Sequence, residues 1–252
     1  MKNKKKIFFT IITPVLNGDK YIVNNIQSMK KQTYKNFEHI IVDGGSLDNS
    51  PKLIKKNMNN KNIFLSKKDK NMWDAINKAI KISKGEVIGI LNSDDYYYKN
   101  ALKIINRYFL KYKELDYIFG SIRKNKRILY RLEKHKINYK FNIYPSHSVS
   151  FFIKRNTQLK VGYYNTDYNL CSDYDFFYKL FNNKNLKGMN TKKNELIGLF
   201  RPGGMSENIS YIKKILLELR IRFNNKQNFL YLIVLFFAYI VNFVRNKILN
   251  LF

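Results

Sequence analysis

Glu86-Val-Ile-Gly-Ile-Leu-Asn-Ser-Asp-Asp-Tyr96 is the stretch whose reading decides the fold. Val87, Ile88, Ile90 and Leu91 form an apolar run with β-branched members, punctuated by Gly85 before it and Asn92 after it. Such a run predicts a strand buried on both faces, the kind found in parallel sheets covered by helices. Asp94 and Asp95 fall just past its carboxyl end, where open α/β sheets bind their ligands. Two adjacent carboxylates repel each other unless a cation sits among them. Their hard oxygens suit Mg2+ or Mn2+ held together with substrate phosphates. The same Asn-Ser-Asp-Asp string also has the chemistry of a turn that caps a helix beginning near Lys99, and on these residues both readings stand.

Working outward, the run Ile7 to Thr13 predicts a first strand, with Pro14 and Asn17-Gly18 expected to break it; Tyr21, Ile22, Ile26 and Met29 then recur at helical spacing. Phe37 to Val42 repeats the pattern and stops at Asp43-Gly44-Gly45-Ser46. Asp48 to Asn57 follows as a helix with Pro51 in its first turn. Ile63 to Leu65 predicts a short third strand, and Met72, Ile76, Ala79, Ile80 and Ile82 a third helix. Strands alternating with helices imply parallel pairing and right-handed crossovers, so the carboxyl ends of all four strands gather on one edge. That edge collects Thr13 to Asn17, Asp43 to Ser46 and Asn92 to Asp95. Gly44 and Gly45 there would let a ligand approach the backbone and would offer it amide donors, or would simply make a tight strand-to-helix turn.

The second half is less regular. Ala101 to Tyr112 predicts a helix, Tyr117 to Ile122 a strand, Arg127 to Leu132 an edge strand, and Ser148 to Ile153 a further strand with His147 at its start. After a turn at Gly162-Tyr-Tyr164, Ser172 or Asp173 is placed to cap a helix carrying Phe176, Phe177, Leu180 and Phe181. Glu195 to Phe200 predicts a last strand, and Arg201-Pro-Gly-Gly204 a closing loop.

With 252 residues, 45% of them hydrophobic, the chain can bury a full core and is not disordered. One cysteine, Cys171, excludes an internal disulfide, and three scattered histidines (His39, His135, His147) lack zinc spacing. A reducing cytoplasm fits this usage. The apolar run Ile7 to Ile12 is too short for an export signal, despite the lysines before it. The net charge of +29 asks for an anionic partner: nucleic acid, lipid head groups or nucleotide phosphates. Abundant Lys, Asn, Ile, Tyr and Phe are also what a coding bias produces, which halves the weight of the charge as a functional sign.

At the carboxyl terminus, Ile212, Ile215, Leu216, Leu219 and Phe223 make an apolar stripe ringed by Lys213, Lys214, Arg220 and Arg222. Residues 229 to 244 are then apolar except for Asn242. Sixteen residues rising about 1.5 Å each extend about 24 Å, short of a ~30 Å hydrocarbon core. Lys226, Arg245 and Lys247 at the ends favour an interfacial or re-entrant anchor on anionic lipid. A helix covering the globular part or a dimer interface is the alternative.

Taken in order, several short pieces carry a resemblance: Thr13-Pro-Val-Leu-Asn17, Ile41-Val-Asp-Gly-Gly-Ser-Leu-Asp48, Trp73-Asp-Ala-Ile-Asn-Lys78, Gly85-Glu86 with Leu91-Asn-Ser-Asp-Asp95, His147-Ser-Val-Ser-Phe-Phe152 and Ser172-Asp-Tyr-Asp175. Over residues 7 to about 206 the chain resembles an inverting glycosyltransferase of family two. The resemblance implies the GT-A fold, an α/β domain with a mostly parallel central sheet flanked by helices. It implies a domain at 1–206, nucleotide-sugar-binding in 1–96 and acceptor-binding in 97–206, with 207–252 a helical membrane-associating extension. It places Pro14, Asn17, Asp43, Gly44, Asp74, Lys78 and Asp94 around a nucleoside-diphosphate sugar, such as a UDP sugar, with Asp43 on the base and Asp94 on the ribose. Asp94 and Asp95 would hold Mn2+ or Mg2+, and Asp173 would be the general base. The sequence departs from the family at Asn92, where many relatives have Asp, at Ser172, where many have Glu, and at Ala79, where Gly is frequent.

The implied chemistry is coherent. A diphosphate leaving group departs more readily when a divalent cation neutralises its developing charge. An acceptor hydroxyl attacks when a carboxylate within hydrogen-bond reach takes its proton, and one in-line displacement inverts the anomeric centre. The other reading of Asp173 is a helix N-cap with no chemistry. His147 would line the acceptor pocket or serve as a hydrogen-bonded structural residue. The acceptor would be a saccharide or lipid-linked saccharide of cell-surface polysaccharide or glycolipid synthesis, and the enzyme would be peripheral on the inner face of the cell membrane. A nucleotidyltransferase needs a Gly-rich basic phosphate loop that Thr13 to Gly18 does not supply. A basic nucleic-acid-binding protein would set an aromatic, cationic groove where this chain clusters carboxylates, so no nucleic acid is expected.

Overall fold

The computed structural model describes residues 6–130, 137, 148–201 and 210–249. Its centre is a parallel quartet: β1 (Phe9–Val15), β2 (Phe37–Asp43), β3 (Asn62–Ser66) and β4 (Val87–Ile90), in the order β4-β1-β2-β3. Between them run α1 (Asp19–Lys30), α2 (Ser50–Asn57) and α3 (Met72–Ile82). Every residue of β1, β2 and β4 is buried; most are apolar, with Thr10, Thr13, Glu38, His39 and Asp43 the buried polar exceptions.

Pro14 does not end the first strand. Ile12 O accepts the Leu91 N–H at 2.9 Å, so even-numbered residues of β1 face β4, whose pairing stops at Ile12 with Ile90. The missing N–H of Pro14 therefore points where no strand remains, while Pro14 and Val15 stay in register with Val42 and Asp43 of β2.

After β5 (Tyr96–Tyr97) and α4 (Ala101–Lys111), the expected strand over 117 to 122 is two strands in two sheets. β6 (Tyr117–Phe119) joins the main sheet, and β7 (Ser121–Lys124) joins a second one. Gly120 lies between them, where a Cβ would come within 2.1 Å of Ile197 Cγ1. β8 (Arg127–Leu129) pairs antiparallel with β7 at the second sheet's edge; Leu132 lies outside the described residues. Ser148–Ser150 is a 3-10 turn, so β9 is confined to Phe151–Lys154. It runs antiparallel between β4 and β6. α5 (Arg155–Val161), α6 (Ser172–Asn182), β10 (Gly188–Asn190) and β11 (Leu196–Phe200) complete the α/β part. The main sheet has the order β10-β6-β9-β4-β1-β2-β3, and the second β5-β11-β7-β8.

Side-chain alternation divides the core between the two sheet faces. Ile12, Ile40, Ile88 and Phe151 pack under α3 and α6 with Trp73, Ile76, Phe176 and Phe177. Ile11, Phe9, Val87 and Phe152 pack under α4 with Leu102, Ile105 and Phe109. α7 (Tyr211–Asn224) belongs to the first of these cores, because Ile221 is part of it and Glu218 and Arg222 are buried. α8 (Phe229–Leu249) packs Leu232, Leu235 and Tyr239 on Ile215 of α7. Among the described residues, no helix is long and apolar enough to cross a membrane.

Candidate active site

The carboxyl ends of β1, β2 and β4 meet through their loops. Asn17, at φ 50°, accepts the Leu47 N–H on its Oδ1 (2.9 Å), and its own N–H donates to Ser46 Oγ (2.8 Å). This fastens the loop after β1 to the loop after β2. A Cβ on Gly18 would approach Ser93 Oγ to 3.3 Å, so the β1 loop also touches the acidic loop. Pro14 is buried inside β1.

Asp43, fully buried at the end of β2, accepts the Ser46 N–H at 3.3 Å on each oxygen and the Ser66 hydroxyl at 2.8 Å. Beside it, Gly44 leaves room for Asp69: a Cβ there would stand 3.2 Å from Asp69 Oδ2. Lys78 of α3 is ion-paired with Asp69 and, at 2.9 Å, with Asp74. Burial pushes the Asp69 carboxyl up, against the pull of Lys78 and with a smaller push from Asp74 and Asp43. The Lys78 contact holds Asp74 below the usual carboxylate range, and the two carboxylates hold Lys78 up. Asp43, Gly44, Asp74 and Lys78 are thus neighbours, with Asp69 among them. Asp69 was missed because Lys67, Lys68 and Lys70 surround it in the chain and make it look like part of a solvated charged run.

In the acidic loop Asp95 is 1% exposed, and burial together with the Asp94 charge pushes its carboxyl well up. Asp95 Oδ1 accepts the Arg201 N–H at 3.0 Å. Asp94 is half-buried and is likewise pushed up by burial, while the Arg201 charge pulls it down. Arg201 follows β11, and its guanidinium lies 4.2 Å from the Tyr21 ring centroid. Only a closing loop was expected there. The pairing is visible once β11 runs antiparallel to β5 beside the acidic loop.

Two buried or half-buried carboxylates, both disfavoured as anions in isolation, form a donor set that fits a divalent cation. Among the described residues no group of three His, Cys, Asp or Glu side chains is arranged to hold a metal ion. A pair is the usual protein share for Mg2+ or Mn2+ when substrate phosphates complete the shell.

Asp173 sits in the first turn of α6, half-buried, with its Oδ1 accepting the Tyr174 N–H at 2.8 Å. The Ser172 hydroxyl, expected as a possible cap, instead donates to Asn165 O (2.5 Å) and Asn169 O (2.9 Å) and ties down the preceding turn. Asp175 is buried, ion-paired to Lys179 at 2.6 Å and bonded to Asn225 Nδ2 at 2.7 Å, which makes it part of the α6–α7 contact. The segment before α6 docks on α3. Tyr164 stacks on Trp73 with centroids 4.7 Å apart, and Asn77 bonds both the Tyr164 N–H (3.0 Å) and the Tyr164 carbonyl (2.8 Å). After burial, the nearby Asp173 charge is the second influence raising the Tyr164 hydroxyl. The structure therefore joins the Asp173 turn to the helix that carries Asp74 and Lys78. His147 lies outside the described residues.

A mostly parallel sheet with an acidic loop at its carboxyl edge and a second, mixed sheet beside it is the GT-A class of fold. The sequence pattern of Glycosyl transferase family 2 matches residues 10–188, and the chain belongs to that family. It is 29% identical over 187 residues to an uncharacterized glycosyltransferase of Rickettsia prowazekii, an overlap of 68% of this chain and 58% of that protein. Over 182 residues it is 26% identical to a PGL/p-HBAD biosynthesis glycosyltransferase of Mycobacterium bovis, covering 69% of this chain and 70% of the relative. Among solved structures, S. aureus TarS residues 1–349 with UDP superposes with a TM-score of 0.65 at 16% identity, over 93% of this chain and 71% of that one. Mannosyltransferase PcManGT from Pyrobaculum calidifontis, solved with GDP-Man and Mn2+, gives a TM-score of 0.63 at 13% identity, over 89% of this chain and 65% of that one.

Proposed function

We propose that this chain transfers a sugar from a nucleoside-diphosphate sugar to an acceptor hydroxyl with inversion of the anomeric centre. The observation that carries the reading is the meeting, at one sheet edge, of the Asp43–Asp69–Lys78 group and the Asp94–Asp95 pair with Arg201. The first group suits a nucleotide's base, which offers N–H donors to carboxylates, and Asp94 would meet the ribose hydroxyls. The second suits the diphosphate, for which a bound divalent cation would neutralise developing charge. Asp94 and Asp95 would hold that Mn2+ or Mg2+. The TarS structures with UDP and UDP-GlcNAc favour a UDP sugar as the first donor to try.

Asp173 is the proposed general base. It is a half-buried carboxylate in the turn that docks on α3, and its neighbour Asp175 is engaged in helix packing. The acceptor class we favour is a saccharide or lipid-linked saccharide in cell-surface polysaccharide or glycolipid synthesis. The basic, apolar-faced helices α7 and α8 support a peripheral position on the inner face of the cell membrane. The catalytic domain is assigned to 1–206 and this extension to 207–252. The deciding experiment is a screen of UDP and GDP sugars by calorimetry with and without Mn2+. One nucleotide sugar is expected to bind in a Mn2+-dependent way and to lose binding in Asp94→Ala; no binding by any of them overturns the reading.

A further inference from the structure

Helix α1 has a second buried face made of polar residues. Asn25, Ser28 and Gln32 are 0%, 7% and 0% exposed, and each bonds the backbone of the acidic loop or the segment just after it. Asn25 Nδ2 donates to Asn92 O (2.8 Å) and Asp95 O (3.1 Å). Ser28 Oγ accepts the Tyr97 N–H at 3.3 Å. Gln32 Nε2 donates to Tyr98 O (2.9 Å), and its Oε1 accepts the Leu102 N–H (3.2 Å). The spacing of three residues puts Asn25 and Ser28 on one stripe of α1, and Gln32, two residues past the helix end, bonds back to the Ser28 carbonyl at 3.1 Å.

The Asn25 amide is itself held in orientation by a chain of buried groups. Its Oδ1 accepts from Thr13 Oγ1 at 3.4 Å, and Thr13 Oγ1 is 2.9 Å from His39 Nε2. His39 Nδ1 is 3.1 Å from Asn62 Nδ2. Asn62 Oδ1 accepts the Asn59 N–H at 2.8 Å, which fixes that amide with its NH2 toward the ring. An NH2 group only donates, so His39 Nδ1 accepts and the ring proton sits on Nε2, facing Thr13. Full burial pushes His39 down to about 3, so the ring is neutral and this polarity holds over the physiological range. Donors therefore run one way, from Asn62 through His39 and Thr13 to Asn25 and on to the carbonyls of the acidic loop.

We propose that this relay positions the Asp94–Asp95 loop for cation-nucleotide binding, with Asn25 the residue that grips the loop and Thr13 and His39 the residues that orient Asn25. Two adjacent carboxylates at a buried edge repel each other, and the backbone between Asn92 and Asp95 is a turn with one internal bond, from the Asp95 N–H to Asn92 O at 3.0 Å. Two further bonds from a rigid helix hold that turn in the absence of ligand. This rests on the reading of Asp94 and Asp95 given above.

The test uses the full chain with Thr13→Val, Thr13→Ser, Asn25→Leu and Asn62→Ala. Thr157→Val is the control: it removes another buried hydroxyl bond, to Asp116 Oδ1 at 2.9 Å, in a different part of the fold. Readouts are UDP affinity with Mn2+ by calorimetry, amide hydrogen exchange over residues 92 to 98, and melting temperature. Thr13→Val and Asn25→Leu are expected to weaken Mn2+-dependent UDP binding about tenfold and to speed exchange at Asp94 to Tyr97; Thr13→Ser restores both. Asn62→Ala, on the half-exposed edge strand, moves both in the same direction by two- to threefold and serves if the core variants fail to fold. Lowered melting temperatures with wild-type UDP affinity and exchange, as expected of Thr157→Val, overturn the proposal. Exchange that speeds in the relay variants while Asp94→Ala leaves UDP binding untouched instead overturns the reading of the acidic pair.

Discussion

Asp69 meets Lys78 through one carboxylate oxygen and stands with the other buried against Gly44 and, among the described residues, unpartnered. A buried acceptor without a donor costs about 1–3 kcal/mol, so the arrangement gains when a ligand N–H or hydroxyl arrives. Replacing Asp69 by Asn swaps an acceptor for an amide and removes a charge whose burial is unfavourable. Asp69→Asn is expected to hold or raise the melting temperature of the free protein while weakening nucleotide-sugar binding by tenfold or more. Calorimetry and a thermal melt on the same sample check this, and unchanged donor affinity removes Asp69 from the site.

The raised carboxyls of Asp94 and Asp95 set a pH dependence of known sign. Folding makes both bind a proton more tightly than the unfolded chain does. Their contribution to the free protein's stability is therefore full below the unfolded value near 3.8 and is lost as pH rises through the raised folded values. Cation binding needs the ionised pair and releases protons, so it strengthens over the same rise. Melting temperatures with and without Mn2+ plus UDP are expected to diverge as pH increases. Parallel curves in the wild type, indistinguishable from those of Asp94→Ala, would count against the pair as the cation site.

What the sequence made legible follows from what hydropathy can register. The strand before Asp94 and the parallel quartet were readable because burial on both faces leaves β-branched runs such as Ile40 to Val42. Pro14 misled because its strand loses a partner on only one side, a fact of the β4 register and not of local sequence. The break at Gly120 depends on Ile197, 77 positions away, pressing on the backbone. Asn25 and Ser28 of α1 and Gln32 just after it are not legible as buried because buried and solvated polar positions look alike until the neighbouring segment is known. The comparison with Glycosyl transferase family 2 agrees with the ordered motifs, yet Asp69 and Arg201 were reached only through the fold.

Along α8, Leu230, Val234, Phe237 and Val241 are 71%, 62%, 61% and 66% exposed, and Ile212, Leu216 and Phe223 of α7 add to the exposed apolar surface. Apart from the buried Glu218, the charged side chains of this helical pair are all basic. Such a surface matches an anionic bilayer, where apolar burial and attraction to head groups add. The full chain is expected to float with vesicles containing phosphatidylglycerol, and Phe237→Glu with Val241→Glu to release it without altering the melt, because both side chains face solvent. Absence of wild-type flotation at low salt removes the membrane from the account.

Asp175, two residues past Asp173, is held by Lys179 and Asn225 inside the α6–α7 contact, so its loss acts on packing. Lys179 is exposed, so replacing Asp175 weakens its contacts at a buried site by about 1–3 kcal/mol, and Asp175→Asn is expected to lower the melting temperature yet to turn over once folded. Asp173 accepts the Tyr174 N–H on its Oδ1 and lies beside the docking of the 163–171 segment on α3. Asp173→Asn is expected to keep the fold, Mn2+ and donor affinity and to lose transfer by the roughly 10²–10⁴-fold that proton-transfer catalysis supplies. Single turnovers of the two variants at saturating donor separate the cases. Near-normal turnover in Asp173→Asn, with Asp175→Asn folded and inactive, would hand the base to Asp175 and mean that its contacts with Lys179 and Asn225 open when the acceptor binds.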